Sequence, residues 1–111
     1  MHLSDTILDQ AFAIYEEFGP NRLIARGERL QSEFPQLSSD EIAFMLQEMK
    51  RVSDTVYALA ERGGETVIGN VAVSQTLQTK HPFLHARGLA HAIFLVNYFA
   101  WHDGYDKNPA V

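Results

Sequence analysis

The feature that most constrains the fold is a long helical pattern that begins at Ser38. Ser38 and Glu41 occupy the N-cap and N3 positions of a capping box, and Leu37 and Ile42 are spaced to form a hydrophobic staple around it. Apolar side chains then recur at gaps of three and four residues, at Ile42, Met45, Met49, Val52, Val56 and Leu59. No Gly or Pro interrupts the pattern before Gly63. We therefore expect one helix of about 25 residues, roughly 37 Å long, that forms the spine of a helical bundle.

Two shorter helices are predicted before this spine. The first covers residues 4–18, where Ser4 is a suitable N-cap and apolar side chains form one stripe. The second covers residues 21–34, with Asn21 as its cap. It contains Gly27, which costs up to about 1 kcal/mol relative to Ala inside a helix. We take that glycine as a sign that another helix approaches closely.

Residues 65–80 are compatible with two structures. Residues 66–73 could form a β-hairpin on a Gly69-Asn70 turn, or a loop followed by a helix that Asn70 caps. The helix is preferred, because an isolated hairpin is only marginally stable and no other strand is predicted to pair with it.

The last helix is predicted to begin near Pro82 or His85 and to end at Gly104. Its side chains are apolar almost all round, which is typical of a central buried helix or of an oligomer interface. Together these segments predict an all-α, single-domain bundle of four or five helices over residues 1–104. The third helix is central, the last is largely buried, and residues 105–111 form a short tail.

An aromatic cluster lies on one side of this last helix. Phe94, Tyr98 and Trp101 are separated by four and three residues, so they share a face that belongs either to the core or to an interface. Asn97 is the one amide in the apolar run. It could fix a helix register, pair with its own copy across a dimer, or lie on an exposed edge. We predict Phe94, Asn97, Tyr98 and Trp101 as interface residues.

Composition and charge exclude several classes of function. The absence of Cys excludes disulfide scaffolds and thiolate metal sites, and it fits a reducing compartment such as the cytoplasm. The N-terminus does not resemble a signal peptide, and the longest apolar run is too short to span a membrane. The formal charge of −5 belongs to residues 1–55, which disfavours nucleic acid and anionic lipid but suits a basic protein partner. Asp40 and Glu41 lie in the first turn of the spine helix. A DNA-recognition helix places that turn against DNA, which would repel these carboxylates.

A basic stripe is predicted on the second helix. Arg22, Arg26 and Arg29 follow one another at i, i+4 and i+7 and could hold an anionic ligand or meet an acidic partner. The alternative is a solvated face on which Glu33 pairs with Arg29 four residues earlier.

Two histidines offer the only metal-ligand spacing that we identify. His81 and His85 are four residues apart, as two ligands on one helical face would be, although Pro82 places His81 at or before the helix start. A third ligand would have to come from another part of the chain or from a second copy. The alternative is that both side chains have ordinary structural roles, in which they cap a helix, pack in the core or lie at the surface.

Residues 34–60 resemble the Phe-Pro…Leu-Leu pattern of CUE-type ubiquitin-binding helices. The resemblance rests on Phe34-Pro35 and on the apolar series that follows, at Leu37, Ile42, Leu46, Val52, Val56 and Leu59. It departs from that pattern at residues 49–51, where no Gly or Asn provides a turn, and at the terminal pair Leu59-Ala60. The resemblance implies a binding role.

The function that the sequence favours is protein–protein interaction without catalysis, with the chain acting as a homodimer. No nucleophile–base pair, phosphate-binding loop or complete ligand set can be assembled from its residues, and no cofactor is expected. The alternative is a small metal- or ligand-dependent enzyme that uses the histidines of the C-terminal half.

Overall fold

The computed structural model describes residues 3–16 and 24–104, which form six α-helices. The predicted all-α bundle is confirmed, and the described residues contain no strand. The helix bounds are α1 Asp5–Tyr15, α2 Arg26–Glu33, α3 Ser39–Glu61, α4 Gly64–Ile68, α5 Asn70–Lys80 and α6 Ala86–His102.

The spine helix α3 forms as its sequence predicts. The Ser38 hydroxyl accepts from the Glu41 N–H at 3.1 Å, and the Glu41 carboxylate accepts from the Ser38 N–H at 2.9 Å. The capping box therefore satisfies two of the N–H groups that have no partner inside the helix. All six side chains of the apolar stripe are at most 7% exposed. Burial of that stripe places α3 in the core beside α6, which also contacts α1, α4 and α5.

The region after α3 contains two helices where one was predicted. Residues 65–80 are helical, as preferred over the hairpin, but Gly69 divides them into α4 and α5 with φ +93°. Only glycine adopts that conformation readily, so the helix count is six where four or five were predicted. Asn70 is the first residue of α5 and not its cap; Gly69 occupies the cap position without a side chain to bond.

The helices on either side of residues 17–23 both differ from prediction. α1 ends at Tyr15, before the predicted residue 18, because Glu16 has a non-helical backbone with φ −106° and ψ 37°. α2 begins at Arg26, later than predicted, because Ala25 has a non-helical backbone with ψ 140°. The predicted cap Asn21 and the last residues predicted for the first helix lie outside the described residues. The predicted end of the last helix is confirmed, since Gly104 follows it with φ +80°. The helix is less buried than predicted, because one of its faces packs on the core and the buried residues are Gly88, Ala92, Leu95, Val96 and Ala100.

The N-terminus of α6 is capped by a side chain from α1. His85 at the N-cap makes no side-chain cap hydrogen bond. Instead, the Asp9 carboxylate accepts from the backbone N–H groups of His85, Arg87 and Gly88 at 2.6, 3.3 and 2.9 Å. Asp9 is itself only 7% exposed. This contact fixes α1 against the start of α6 and satisfies three otherwise unpaired donors.

The close approach of α1 to α6 requires a residue without a side chain at Gly88. No comparably close contact exists at Gly27. A Cβ at residue 88 would lie 2.5 Å from the Asp9 backbone oxygen and 2.7 Å from Asp9 Oδ1. A Cβ at residue 27 would meet only the tip of Leu46, at an ordinary 3.6 Å. The expectation that Gly27 marks a close helix approach is therefore wrong, and the tight helix contact belongs to α1 and α6.

Candidate functional site

The predicted aromatic residues of α6 share one largely exposed face. Phe94 is 52% exposed and Trp101 is 66% exposed, one on each side of the partly buried Tyr98. The ring centroids of Phe94 and Tyr98 are 6.1 Å apart, and those of Tyr98 and Trp101 are 6.2 Å apart. We call these three side chains the α6 aromatic face. The opposite side of the helix is buried in the core through Ala92, Leu95, Val96 and Ala100.

Tyr57 of α3 extends this face, although no pattern in the sequence pointed to it. Its ring stacks on Phe99 with 4.8 Å between centroids, and Phe99 meets Tyr98 edge-on at 5.6 Å. Tyr57 lies just outside the buried stripe of α3 and is 47% exposed. Partial burial, and then the nearby Glu16 carboxylate, raise the pKa of its hydroxyl. The hydroxyl therefore stays protonated around neutral pH.

Asn97 has an intramolecular partner. Its Oδ1 accepts from the Glu65 backbone N–H at 3.0 Å, and its Nδ2 donates to the Glu65 carboxylate at 2.6 Å. The side chain lies so close to Gly64 that a Cβ there would be 2.8 Å from Oδ1. Asn97 thus holds the first turn of α4 against α6, next to the aromatic face.

Arg26 and Arg29 bind the C-terminal end of α1. Arg26 Nε and Arg29 Nη2 donate to the Tyr15 carbonyl at 3.1 and 3.2 Å. Arg26 also pairs with Glu16 at 3.2 Å, and its guanidinium lies 4.4 Å from the Tyr15 ring centroid. These cations suit the negative end of the helix dipole. Arg22, the third member of the predicted stripe, lies outside the described residues, and anion binding by the stripe stays a prediction.

The two predicted metal ligands differ in their surroundings. The His81 side chain is 6% exposed, and its Nε2 lies 2.8 Å from the Thr55 hydroxyl of α3, whereas His85 is exposed. Within residues 3–16 and 24–104, no group of three His, Asp or Glu side chains is placed to hold a metal ion. The His81–His85 pair and the enzymatic alternative stay predictions, and the Thr55 contact gives His81 a structural role.

Burial of His81 predicts a loss of stability in mild acid. Burial, and then the charges of Lys80 and Arg51, lower the pKa of His81 below its usual 6.5. The unfolded chain therefore takes up this proton at a higher pH than the folded chain does. The free energy of unfolding is expected to fall as the pH drops below about 6.5, by at most about 1.4 kcal/mol per pH unit for this group.

Chemical denaturation between pH 7.5 and 5.5 measures this effect. We expect the loss of stability over that range to be smaller in a His81→Gln variant than in the native chain, because glutamine does not titrate. Parallel pH profiles for the two proteins would contradict the assignment.

The chain was also examined for a membrane-spanning helix and for similarity to known proteins. None of the helices in the described ranges combines the length and the apolarity that crossing a membrane requires. Comparison with protein-family models, with curated proteins and with solved structures found no match.

Proposed function

We propose that the protein is a non-enzymatic interaction module that forms a homodimer through the α6 aromatic face. The observation that carries this proposal is the exposure of Phe94 and Trp101, at 52% and 66%, on one face of a helix whose other face is buried. Tyr and Trp are enriched among the residues that dominate binding energy at interfaces. Removal of apolar surface from water is worth roughly 25 cal/mol per Å², so a partner that covers these rings stabilises the chain.

The distribution of charge favours a second copy of the chain as that partner. α6 contains no Asp or Glu between Ala86 and His102, and its one Arg, Arg87, lies in its first turn. The acidic excess belongs to residues 1–55. Two α6 helices can therefore approach each other without bringing carboxylates on those helices together, a repulsion that would otherwise oppose self-association.

The spacing along α6 also suits a two-fold interface. In an antiparallel pair of α6 helices with its axis near Tyr98, Phe94 of one copy lies opposite Trp101 of the other. Both copies then contribute the same surface, and the contact between Phe94 and Trp101 occurs twice, as a two-fold interface requires. Tyr57 and Phe99 would lie at the edge of this contact, where a polar hydroxyl can remain in water.

The chain's single tryptophan, Trp101, reports on this interface, because it lies opposite Phe94 of the second copy in the proposed dimer. On dilution from the dimer to the monomer, we expect the Trp101 emission to shift to longer wavelength and its quenching by acrylamide to increase. A Phe94→Glu variant should show the emission and quenching of the monomer at every concentration, because the dimer would bury a carboxylate opposite an aromatic ring.

The matched control is Val71→Glu, which places the same charge on α5 at a side chain that is 62% exposed. This variant should retain the native dependence on concentration. Emission and quenching that do not change with concentration in the native chain would overturn the proposed dimer, and so would equal effects of the two Glu variants.

A further inference from the structure

Helix α4 is a single short helix with glycine at both of its ends. It spans Gly64–Ile68, between the end of α3 and the start of α5. Gly63 and Gly64 have φ +100° and +61° at its start, and Gly69 has φ +93° at its end. Glycine adopts these left-handed conformations readily, and it can leave them without the steric barrier that a Cβ imposes. The backbone can therefore turn on either side of α4.

Packing contributes little to the position of α4. Gly64 is its one fully buried residue, Ile68 is partly buried against the core, and Val67 is 52% exposed. Its five residues are far fewer than the roughly 12–15 at which an isolated helix becomes marginally stable. A segment with few buried apolar contacts opens at a lower free energy than the core of the same domain.

One side chain of α6 holds α4 in place through two hydrogen bonds. Asn97 Oδ1 accepts from the Glu65 N–H at 3.0 Å, and Asn97 Nδ2 donates to the Glu65 carboxylate at 2.6 Å. The residue at the N-cap position, Gly63, has no side chain that could replace the first of these bonds. We call this pair of bonds the Asn97 latch. Because a single side chain makes both bonds, they are lost together when it moves away.

The start of α4 covers two small apolar side chains of α6. A Cβ at Gly64 would lie 3.4 Å from Val96 Cγ1 and 3.4 Å from Ala100 Cβ, so the backbone of Gly64 packs directly on them. Both side chains are at most 1% exposed. Asn97, which lies beside them on α6, borders the aromatic face. Removal of α4 would therefore add apolar surface at the edge of that face.

We propose that α4 is a strap that turns about Gly63-Gly64 and Gly69 and is closed by the Asn97 latch. The strap opens while the rest of the bundle stays folded. Its open state exposes Val96 and Ala100, which gives the chain a larger apolar surface beside the α6 aromatic face than the closed state has. The strap does not depend on the proposed dimer, because the glycines and the latch lie within one chain.

Amide hydrogen exchange in low concentrations of urea tests the opening. The reporter is the Gly69 N–H, which donates to the Glu65 carbonyl at 3.2 Å, and the reference is the N–H of Leu95 on the buried side of α6. After correction for intrinsic rates, we expect Gly69 to exchange at least about tenfold faster than Leu95. Low urea should leave the Gly69 rate unchanged, because a local opening exposes little surface. Equal rates with equal urea dependence would show that α4 opens only when the bundle unfolds, and would overturn the proposal.

Two variants test the latch. Asn97→Ala removes both bonds, and Glu65→Ala removes the one to the carboxylate. Each should accelerate the exchange of the Gly69 N–H by about tenfold or more, as expected for loss of a hydrogen bond to a charged group. The matched control is Thr66→Ala, at an exposed position of α4, which should not accelerate it. Unchanged exchange in the latch variants would contradict the latch, and Glu65→Ala decides the question if circular dichroism shows that Asn97→Ala is unfolded.

An introduced thiol tests which surface the open strap exposes, because the chain has no cysteine of its own. Ala100→Cys should react with iodoacetamide without urea, and about tenfold or more faster when Glu65→Ala is added. The matched control is Ala92→Cys, at an equally buried alanine about two turns earlier in α6, which should react at least about tenfold more slowly than Ala100→Cys. Equal reaction at the two positions, or no effect of Glu65→Ala at residue 100, would contradict the proposed open state.

Discussion

Replacement of Asp9 by Ala is expected to lower the free energy of unfolding by about 3 kcal/mol, since loss of a helix cap costs about 0.5–2 kcal/mol and each buried unsatisfied donor about 1–3 kcal/mol. The carboxylate is the acceptor for three backbone N–H groups at the start of α6. No side chain at the N-cap of that helix can replace it. The loss is a large part of the roughly 5–15 kcal/mol that stabilises a typical domain.

Urea denaturation followed by circular dichroism measures the Asp9 effect. Asp9→Asn keeps an oxygen that can accept from His85 and Gly88, so it should cost less, about 1 kcal/mol. The matched control is Asp54→Ala, which removes an exposed carboxylate paired with Lys50 and should cost about 0.5 kcal/mol or less. A loss in Asp9→Ala no larger than that in Asp54→Ala would show that the cap contributes little.

Replacement of Gly88 by Ala is expected to destabilise the fold by about 2–3 kcal/mol. The added Cβ would overlap the backbone oxygen of Asp9, which cannot move aside as the end of a flexible side chain could. α1 and α6 would have to separate, and the Asp9 hydrogen bonds to α6 would lengthen. The cost is expected even though Ala is intrinsically the better helix former.

The matched control is Gly27→Ala on α2. A Cβ there meets only Leu46, at ordinary contact distance, so the higher helix propensity of Ala should raise stability by about 0.5 kcal/mol. The same substitution is thus expected to have opposite signs at two helical glycines, and thermal melts of the two variants would measure this. A gain in stability at Gly88 would contradict the close α1–α6 contact.

Local signals account for the parts of the fold that could be predicted from sequence. The capping box and the apolar stripe of α3 lie within residues 37–59, so every residue that defines the helix is near its partner in the chain. The end of α6 could also be predicted from a local signal, because Gly104 directly follows the last turn of the helix. Gly69 was also visible, but the sequence did not show whether it would lie in a turn between strands or divide two helices.

The tertiary contacts could not be predicted, because their partners are far apart in sequence. Asp9 bonds to backbone groups 76 to 79 residues later. The sequence does show that His85 is a poor cap and that the first turn of α6 lacks a carboxylate, so a cap from elsewhere was needed. Nothing in a single sequence identifies Asp9 as its source or shows that Gly88, and not Gly27, lies at the helix contact.

The candidate site was predicted in part. The spacing of Phe94, Tyr98 and Trp101 placed them on one helix face, but only the packing of α6 shows that this face points away from the core. The bond between Asn97 and Glu65 depends on the position of α4 and was not foreseen. Likewise, the stripe of arginines was visible, whereas the bonds of Arg26 to Glu16 and of Arg29 to the Tyr15 carbonyl depend on where α1 ends.

Light scattering at about 100 µM chain, well above the micromolar range of moderate affinities, tests the central proposal most directly. The account predicts a solution mass of twice the chain's 12.5 kDa for the native protein and for Val71→Glu. It predicts the mass of one chain for Trp101→Glu, with a helical circular dichroism spectrum like that of the native protein. A native protein of 12.5 kDa at this concentration, or a Trp101→Glu variant that remains a folded dimer, would contradict an interface on the α6 aromatic face.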